Sequence, residues 1–193
     1  MTERKEQVVR AALQIADAQG LDAVTMRAVG ARLGVTPMAL YRHVVDKEAL
    51  LDEVLDLAMG EVEVPDPELG WAERLVALSA GLRAMAARHP TVIPLTFSRP
   101  GTTPAVRALV GVVEGALADA GVPERDRPRL ERMLSTFVVG FAISEVSGRF
   151  PAEHAEGLDT EFATDLEALV GLIRAAAAPA GGVWARPAAN SAR

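Results

Sequence analysis

The chain has 193 residues, half of them apolar and only 4% aromatic, with 20 Lys and Arg against 26 Asp and Glu. That is ample apolar material for a packed core, and Ala, Leu and Arg in quantity with few aromatics favour helix over sheet. The absence of cysteine removes disulfides, thiolate metal sites and cysteine nucleophiles, and apolar runs such as Phe137 to Ile143 fall far short of the about 18 residues of a membrane span.

In chain order, the first residues, Met1 to Gln7, are charged and have no apolar h-region behind them. No secretory signal is expected, and the protein is placed in the cytoplasm. From Glu3 to Gln19, Val8, Val9, Ala12, Leu13, Ile15 and Ala16 recur at helical spacing, and Gly20 supplies a stop. Thr25 reads as the N-cap of a short helix carrying Met26, Val29 and Leu33, with Gly34 beyond its end. Thr36 then reads as a second cap, Pro37 as the first residue of a two-turn helix with Leu40, Tyr41 and Val44, and Asp46 as the cap of a fourth helix. The acidic, proline-containing stretch Glu61 to Gly70 breaks the period. Longer helices are predicted beyond it, over Trp71–Arg88, Pro104–Ala120, Glu124–Gly148 and Glu161–Ala178, with a short element around Thr91–Phe97. The connection over residues 150–160 reads as irregular, and the Ala/Gly/Pro-rich residues 179–193 as a flexible tail. The expected architecture is all-α: residues 1–60 form an N-terminal helix-turn-helix region, and residues 61–178 a second region of longer helices.

Residues 25–47 carry the chemistry. Two short helices joined at Gly34-Val35 form a unit that fits the major groove of B-DNA, with the second helix inserted. Ala28, Gly30 and Ala31 allow close approach of the helices. Charge distribution agrees: residues 1–50 hold seven basic and six acidic side chains, whereas residues 51–193 hold thirteen and twenty.

Thr25-Met-Arg-x-Val, Leu33-Gly-Val, Leu40-Tyr-Arg-His-Val and Asp46-Lys-Glu-Ala-Leu-Leu together resemble the TetR family of bacterial repressors. The resemblance is close across residues 5–60 and looser across residues 71–150, where the chain is similar to the tetracycline-repressor branch. It implies a ligand-responsive transcriptional repressor that binds a palindromic double-stranded operator as a homodimer. By the family's pattern Thr25, Tyr41 and Lys47 hold the DNA backbone. Arg27, Thr36, Pro37, Met38, Ala39, Arg42 and His43 stand where base readout or close backbone contact takes place. The stretch Thr36-Pro-Met-Ala departs from the tetracycline repressor, so that repressor's operator does not carry over.

In the family the last two long helices pair with their mates in a four-helix interface. Apolar stripes, Leu130, Met133, Leu134, Phe137, Val138, Phe141 and Ala142 on one helix and Phe162, Leu166, Leu169, Val170, Leu172 and Ile173 on the other, offer two such surfaces, or simply complete the core of one chain. Small residues Gly140, Ala142, Ser144 and Ser147 read as the other faces of the first. The resemblance also places an effector pocket between the helices that begin near Trp71, Thr91, Pro104 and Glu124. Leu78, Leu82, Met85, Leu95, Phe97, Met133, Phe137 and Phe141 are its apolar candidates, and His89, Thr96 and Glu145 its polar ones; each serves equally well as ordinary core or surface. The tetracycline repressor surrounds its drug and metal with histidine and asparagine. The matching stretches here hold Glu61-Val-Glu-Val, Leu78, Leu82 and Pro94-Leu95, so a more hydrophobic effector is expected.

His43, His89 and His154 fall in no metal-ligand spacing, and no nucleophile elbow, P-loop or dinucleotide fingerprint is present. No enzyme activity, cofactor or metal is expected. The rival reading is a helical carrier or interaction module, which would leave DNA mobility unchanged.

Overall fold

All regular structure among the described residues, 3–99, 103–151 and 156–178 of the computed structural model, is helical. The N-terminal region holds α1 (Glu3–Gln19), α2 (Met26–Leu33), α3 (Pro37–Leu40) and α4 (Lys47–Met59). The rest holds α5 (Trp71–Arg88), α6 (Leu95–Ser98), α7 (Pro104–Asp119), α8 (Arg127–Val146) and α9 (Leu158–Ala177). The tail expected over residues 179–193 lies outside the described residues, as do residues 152–155 of the expected irregular connection.

Local chemistry sets most of these boundaries. α1 gives way at Gly20, whose φ of 86° suits glycine. Thr25 Oγ1 accepts the Ala28 N–H at 3.1 Å and Asp46 Oδ1 accepts the Ala49 N–H at 2.8 Å, each satisfying an amide that a helix start leaves unpaired. The Glu73 carboxylate reaches back to the Gly70 N–H at 2.9 Å and opens α5. α8 begins later than the apolar period implies, because Glu124–Asp126 form a 3-10 turn and Pro128, which lacks an N–H, suits the first turn of an α-helix. α9 begins earlier, at Leu158, whose side chain is buried.

α1 packs against α2 and α4, burying Val8, Val9, Ala12, Ile15 and Ala16 with Val29, Leu50 and Val54. α4 turns away from α1 to meet α5 and α7, which pack with α8; α9 lies against α8. One apolar core therefore runs from α1 through α9. Full burial of each Leu, Ile or Val is worth about 1.5–3 kcal/mol over exposure, an upper figure given a compact unfolded chain.

The stripes expected at a dimer interface turn inward only in part, since Met133 and Phe137 of α8 and Leu169 and Leu172 of α9 stay half-buried. Leu130, Leu134, Val138 and Phe141 of α8, and Phe162, Leu166 and Val170 of α9, are buried within this chain. Ala142, which reads from sequence both as part of the stripe and as a small residue, is fully buried as well. Beside them on α8 Thr136 is exposed and Gly140 half-buried, and on α9 Thr164, Ala168 and Gly171 are exposed. Gly140 and Gly171 have open space where a side chain would stand.

Candidate nucleic-acid interface and effector cavity

The turn between α2 and α3 is built on two glycines. Gly34 adopts φ 66°, in the left-handed region, and lets the Val35 N–H reach the Gly30 carbonyl at 2.9 Å. A Cβ on Gly30 would stand 2.8 Å from the Val35 carbonyl oxygen, so α2 and the turn meet at a distance only glycine tolerates. Of the other small residues, Ala28 is half-buried but Ala31 is exposed and has no part in that approach.

α3 is one turn rather than the two expected. Leu40 is 1% exposed and anchors it, while the His43 and Val44 amides both fold back on the Leu40 carbonyl, at 2.8 and 3.2 Å, and end the helix in a turn. Thr36 stands at the cap position but its hydroxyl makes no cap bond there, contrary to expectation; the Ala39 N–H donates to the Thr36 carbonyl instead, at 3.0 Å. The outer side of this unit presents Met38, Tyr41 and Val45 at 75%, 49% and 80% exposure, beside exposed Arg42. Ala39 and His43 are half-buried, Thr25 and Arg27 lie exposed at the start of α2, and Lys47 is the first residue of α4.

Ion pairing separates the cations of this region into two sets. Lys5 pairs with Glu53 at 2.6 Å, Arg10 with Glu6 at 2.7 Å, and Arg32 donates to Gln14 at 2.8 Å. Arg27, Arg42 and Lys47 have no side-chain or backbone partner among the described residues. Lys47 also sits at a helix N-terminus, where the backbone's own partial positive charge opposes it. Both features suit an external anion.

A cavity of about 460 Å³ opens in the second region. Met59 of α4, Leu78 and Leu82 of α5, and Thr96 and Phe97 of α6 form part of its wall. Val106, Leu109, Val110 and Val113 of α7 supply another part, and Glu131, Arg132, Ser135, Thr136 and Val139 of α8 the last. Of the candidates read from sequence, Leu78, Leu82, Phe97 and Thr96 line it. The others lie elsewhere. Met85 and Leu95 are buried in the core, and half-buried Met133 carries the sulfur 3.7 Å from an Arg129 nitrogen. Phe137 and Phe141 stand on another face of α8 and join Phe162, with ring centroids 5.7 and 5.0 Å away.

His89 and Glu145 each serve a different structure. His89 lies between Asp17 of α1, at 3.0 Å from its Nδ1, and Glu61, at 3.1 Å from its Nε2. Glu145 accepts from Arg83 at 2.6 and 2.7 Å, and Arg83 also pairs with Asp159 at 2.8 Å and lies over the Phe141 and Phe162 rings. The hydrogen bonds to Glu145 are the largest cause raising the Arg83 pKa above its ordinary value; burial opposes them and Asp159 adds to them.

The cavity wall is tied to the N-terminal helices by contacts that sequence reasoning missed. Arg99, directly after α6, pairs with Glu48 and Asp52 of α4. The Asp56 carboxylate accepts the Ala105 N–H at 2.7 Å, joining α4 to the start of α7. Thr91 donates to the Ala16 carbonyl at 3.0 Å, beside the His89–Asp17 pair. The α7 lining was legible in principle, since Val106, Leu109, Val110 and Val113 follow helical spacing; the Arg99 pairing, across about fifty residues of chain, left no local signal.

Known proteins show the same arrangement. Residues 8–54 match the tetR family of bacterial regulatory proteins, and residues 64–172 the tetracyclin repressor-like C-terminal domain. The HTH-type transcriptional repressor DrrR1 of Streptomyces coeruleorubidus is 36% identical over 160 residues, or 81% of this chain; the chain spans 59% of that relative's length. ActR of Streptomyces coelicolor, solved in complex with actinorhodin, superposes with a TM-score of 0.80 at 28% identity, covering 93% of this chain and 98% of ActR. BioQ of Mycobacterium smegmatis superposes at 0.78 with 28% identity, covering 89% and 98% of the two chains. A BioQ structure with its natural double-stranded DNA operator superposes at 0.75 with 29% identity and the same coverage. With both of its regions matched, the second over more than half its length, this chain belongs to the TetR family of bacterial regulatory proteins.

Proposed function

We propose that the chain is one protomer of a homodimeric transcriptional repressor that binds a palindromic operator and is released by a small hydrophobic effector. Residues 1–60 act as the DNA-binding domain and residues 61–178 as the effector-binding and dimerisation domain. The observation that carries this reading is the set of unpartnered cations, Arg27, Arg42 and Lys47, around an exposed recognition helix in a region where Lys5, Arg10 and Arg32 are all engaged. Thr25, Tyr41 and Lys47 hold phosphates; Arg27, Thr36, Pro37, Met38, Ala39, Arg42 and His43 approach base edges or the nearby backbone. Exposed Met38 offers an apolar contact of the kind that favours the thymine methyl.

One helix-turn-helix reads one half-site, so a palindrome calls for two chains. The small outward faces of α8 and α9, open at Gly140 and Gly171, suit close packing against a second copy. The repressor assignment draws on the name of DrrR1, and the effector on the complex of ActR with actinorhodin. The cavity, at about 460 Å³, lies within the range of about 300–1,000 Å³ that holds drug-sized ligands. The protein works in the cytoplasm, where its DNA lies, and has no catalytic role.

Selection of bound fragments from genomic DNA with the purified chain, followed by a mobility shift on the recovered site, tests this reading. A discrete complex on an inverted repeat is expected. No discrete complex at low salt would leave the helical carrier or interaction module as the better account.

A further inference from the structure

Resting on the effector-cavity reading, we infer that the ligand of this cavity pairs an apolar body with an anionic end, and that the anion is held at the mouth by Arg132 of α8. The walls contributed by α4, α5 and α7 are aliphatic throughout: Met59, Leu78, Leu82 and the valines and leucine of α7. Polar side chains come from α6 and α8 alone, as Thr96, Glu131, Arg132, Ser135 and Thr136.

Three of these groups are already engaged. The Thr96 hydroxyl donates to the Ile93 carbonyl at 2.6 Å, and the Ser135 hydroxyl donates to Glu131 Oε1 at 2.6 Å, which occupies the cavity's one carboxylate. Arg132 is the one cation among the described residues that line the cavity. It is exposed and has no partner among the described residues, whereas Arg74, Arg83 and Arg99 of the same region are each paired with a carboxylate. Thr136, one turn along α8, is exposed beside it and its hydroxyl is also unengaged. A guanidinium fork with a neighbouring hydroxyl matches the oxygens of a carboxylate, sulfonate or phenolate. A neutral apolar ligand would fill the walls and leave those donors to water. A cationic ligand would meet Arg132 as a like charge, with the only carboxylate half-buried and bonded to Ser135. Arg132 therefore selects among ligands that the aliphatic walls accept alike.

Two fluorescent probes with the same aromatic body separate charge from apolar fit: anilinonaphthalene sulfonate, an anion, and its uncharged parent phenylnaphthylamine. On the full chain at low salt the sulfonate is expected to bind about two- to fivefold more tightly, a modest factor because the pair is exposed. Arg132→Gln should abolish that preference without weakening the parent probe, and Arg132→Lys should keep most of it. Val110→Trp, which fills the cavity, should weaken both probes. Equal binding of the two probes, or a preference that survives Arg132→Gln, overturns the inference. So does an Arg132→Gln variant that changes oligomeric state and leaves the preference intact, since Arg132 would then serve the partner copy. If Val110→Trp leaves both probes bound, the cavity reading itself fails, an outcome distinct from loss of the charge preference alone.

Discussion

The two regions of this molecule treat charge in opposite ways. In the second, long-range arginines are anchored: Arg83 between Glu145 and Asp159, Arg99 between Glu48 and Asp52, Arg74 on Asp119. In the first, Lys5, Arg10 and Arg32 are engaged, while Arg27, Arg42 and Lys47 have no partner among the described residues. Charges that meet inside the chain fix helices to one another; charges left free serve a partner. The comparison sets a helix-turn-helix unit whose cations lack internal partners against a second region whose helices are held together by ion pairs.

The largest expected effect comes from the backbone of the recognition unit. Gly30→Ala places a Cβ against a carbonyl oxygen 2.8 Å away and should cost about 1–3 kcal/mol of stability by overpacking. DNA affinity should fall further still, because α3 is displaced from α2. Thermal unfolding beside a mobility shift checks both. An unchanged melting temperature with full DNA binding would show that the turn has slack.

Next come the free cations. Arg42→Ala or Arg27→Ala should each cost about 1–3 kcal/mol of binding and relax preference at particular base pairs if the side chain reaches a base edge. Lys47→Ala should weaken binding evenly across sequences and reduce the salt slope by roughly one unit. Competition binding on a library of operator variants at several salt concentrations separates the two behaviours. The roles are exchanged if Lys47→Ala alters base preference and neither arginine change does.

Arg99→Ala sharpens the other half of the comparison. It should leave ligand affinity of the cavity nearly unchanged, yet shrink the ligand's effect on DNA binding, because α6 loses its hold on Glu48 and Asp52 of α4. A ligand shifts an equilibrium only by its differential affinity for the two states, so a looser connection lowers that leverage. Full release in the variant would place the coupling in other contacts, of which Asp56 to Ala105 and His89 to Asp17 are the nearest.

Helix limits were legible where one residue type answers one backbone need. Thr25 and Asp46 cap, Gly20 and Gly34 adopt positive φ, and Pro37 opens α3. The length of α3 was not legible, because Tyr41 and Val44 continue a helical pattern while the amides of His43 and Val44 share one carbonyl. The rotation of α8 about its axis was the greater loss. Phe137 and Phe141 were expected in the cavity, but they pack with Phe162 of α9, while the smaller and polar Ser135, Thr136 and Val139 face it. A helix with several apolar faces does not tell from its own sequence which face meets which neighbour.

The smallest expected effect is an absence of response. Tetracycline with magnesium should leave the DNA complex intact, since the described residues of the lining include no histidine and their one carboxylate, Glu131, is bonded to Ser135. Release by tetracycline only in the presence of magnesium would overturn this view of the site.

The most direct test of the central claim is the mass of the complex on the selected operator, measured by sedimentation at low salt with the full chain. Two protomers of 20.4 kDa each on one inverted repeat, dissociating as salt is raised, is the expected result. A monomer that binds a half-site tightly by itself, or no complex at all with any genomic fragment, would contradict it.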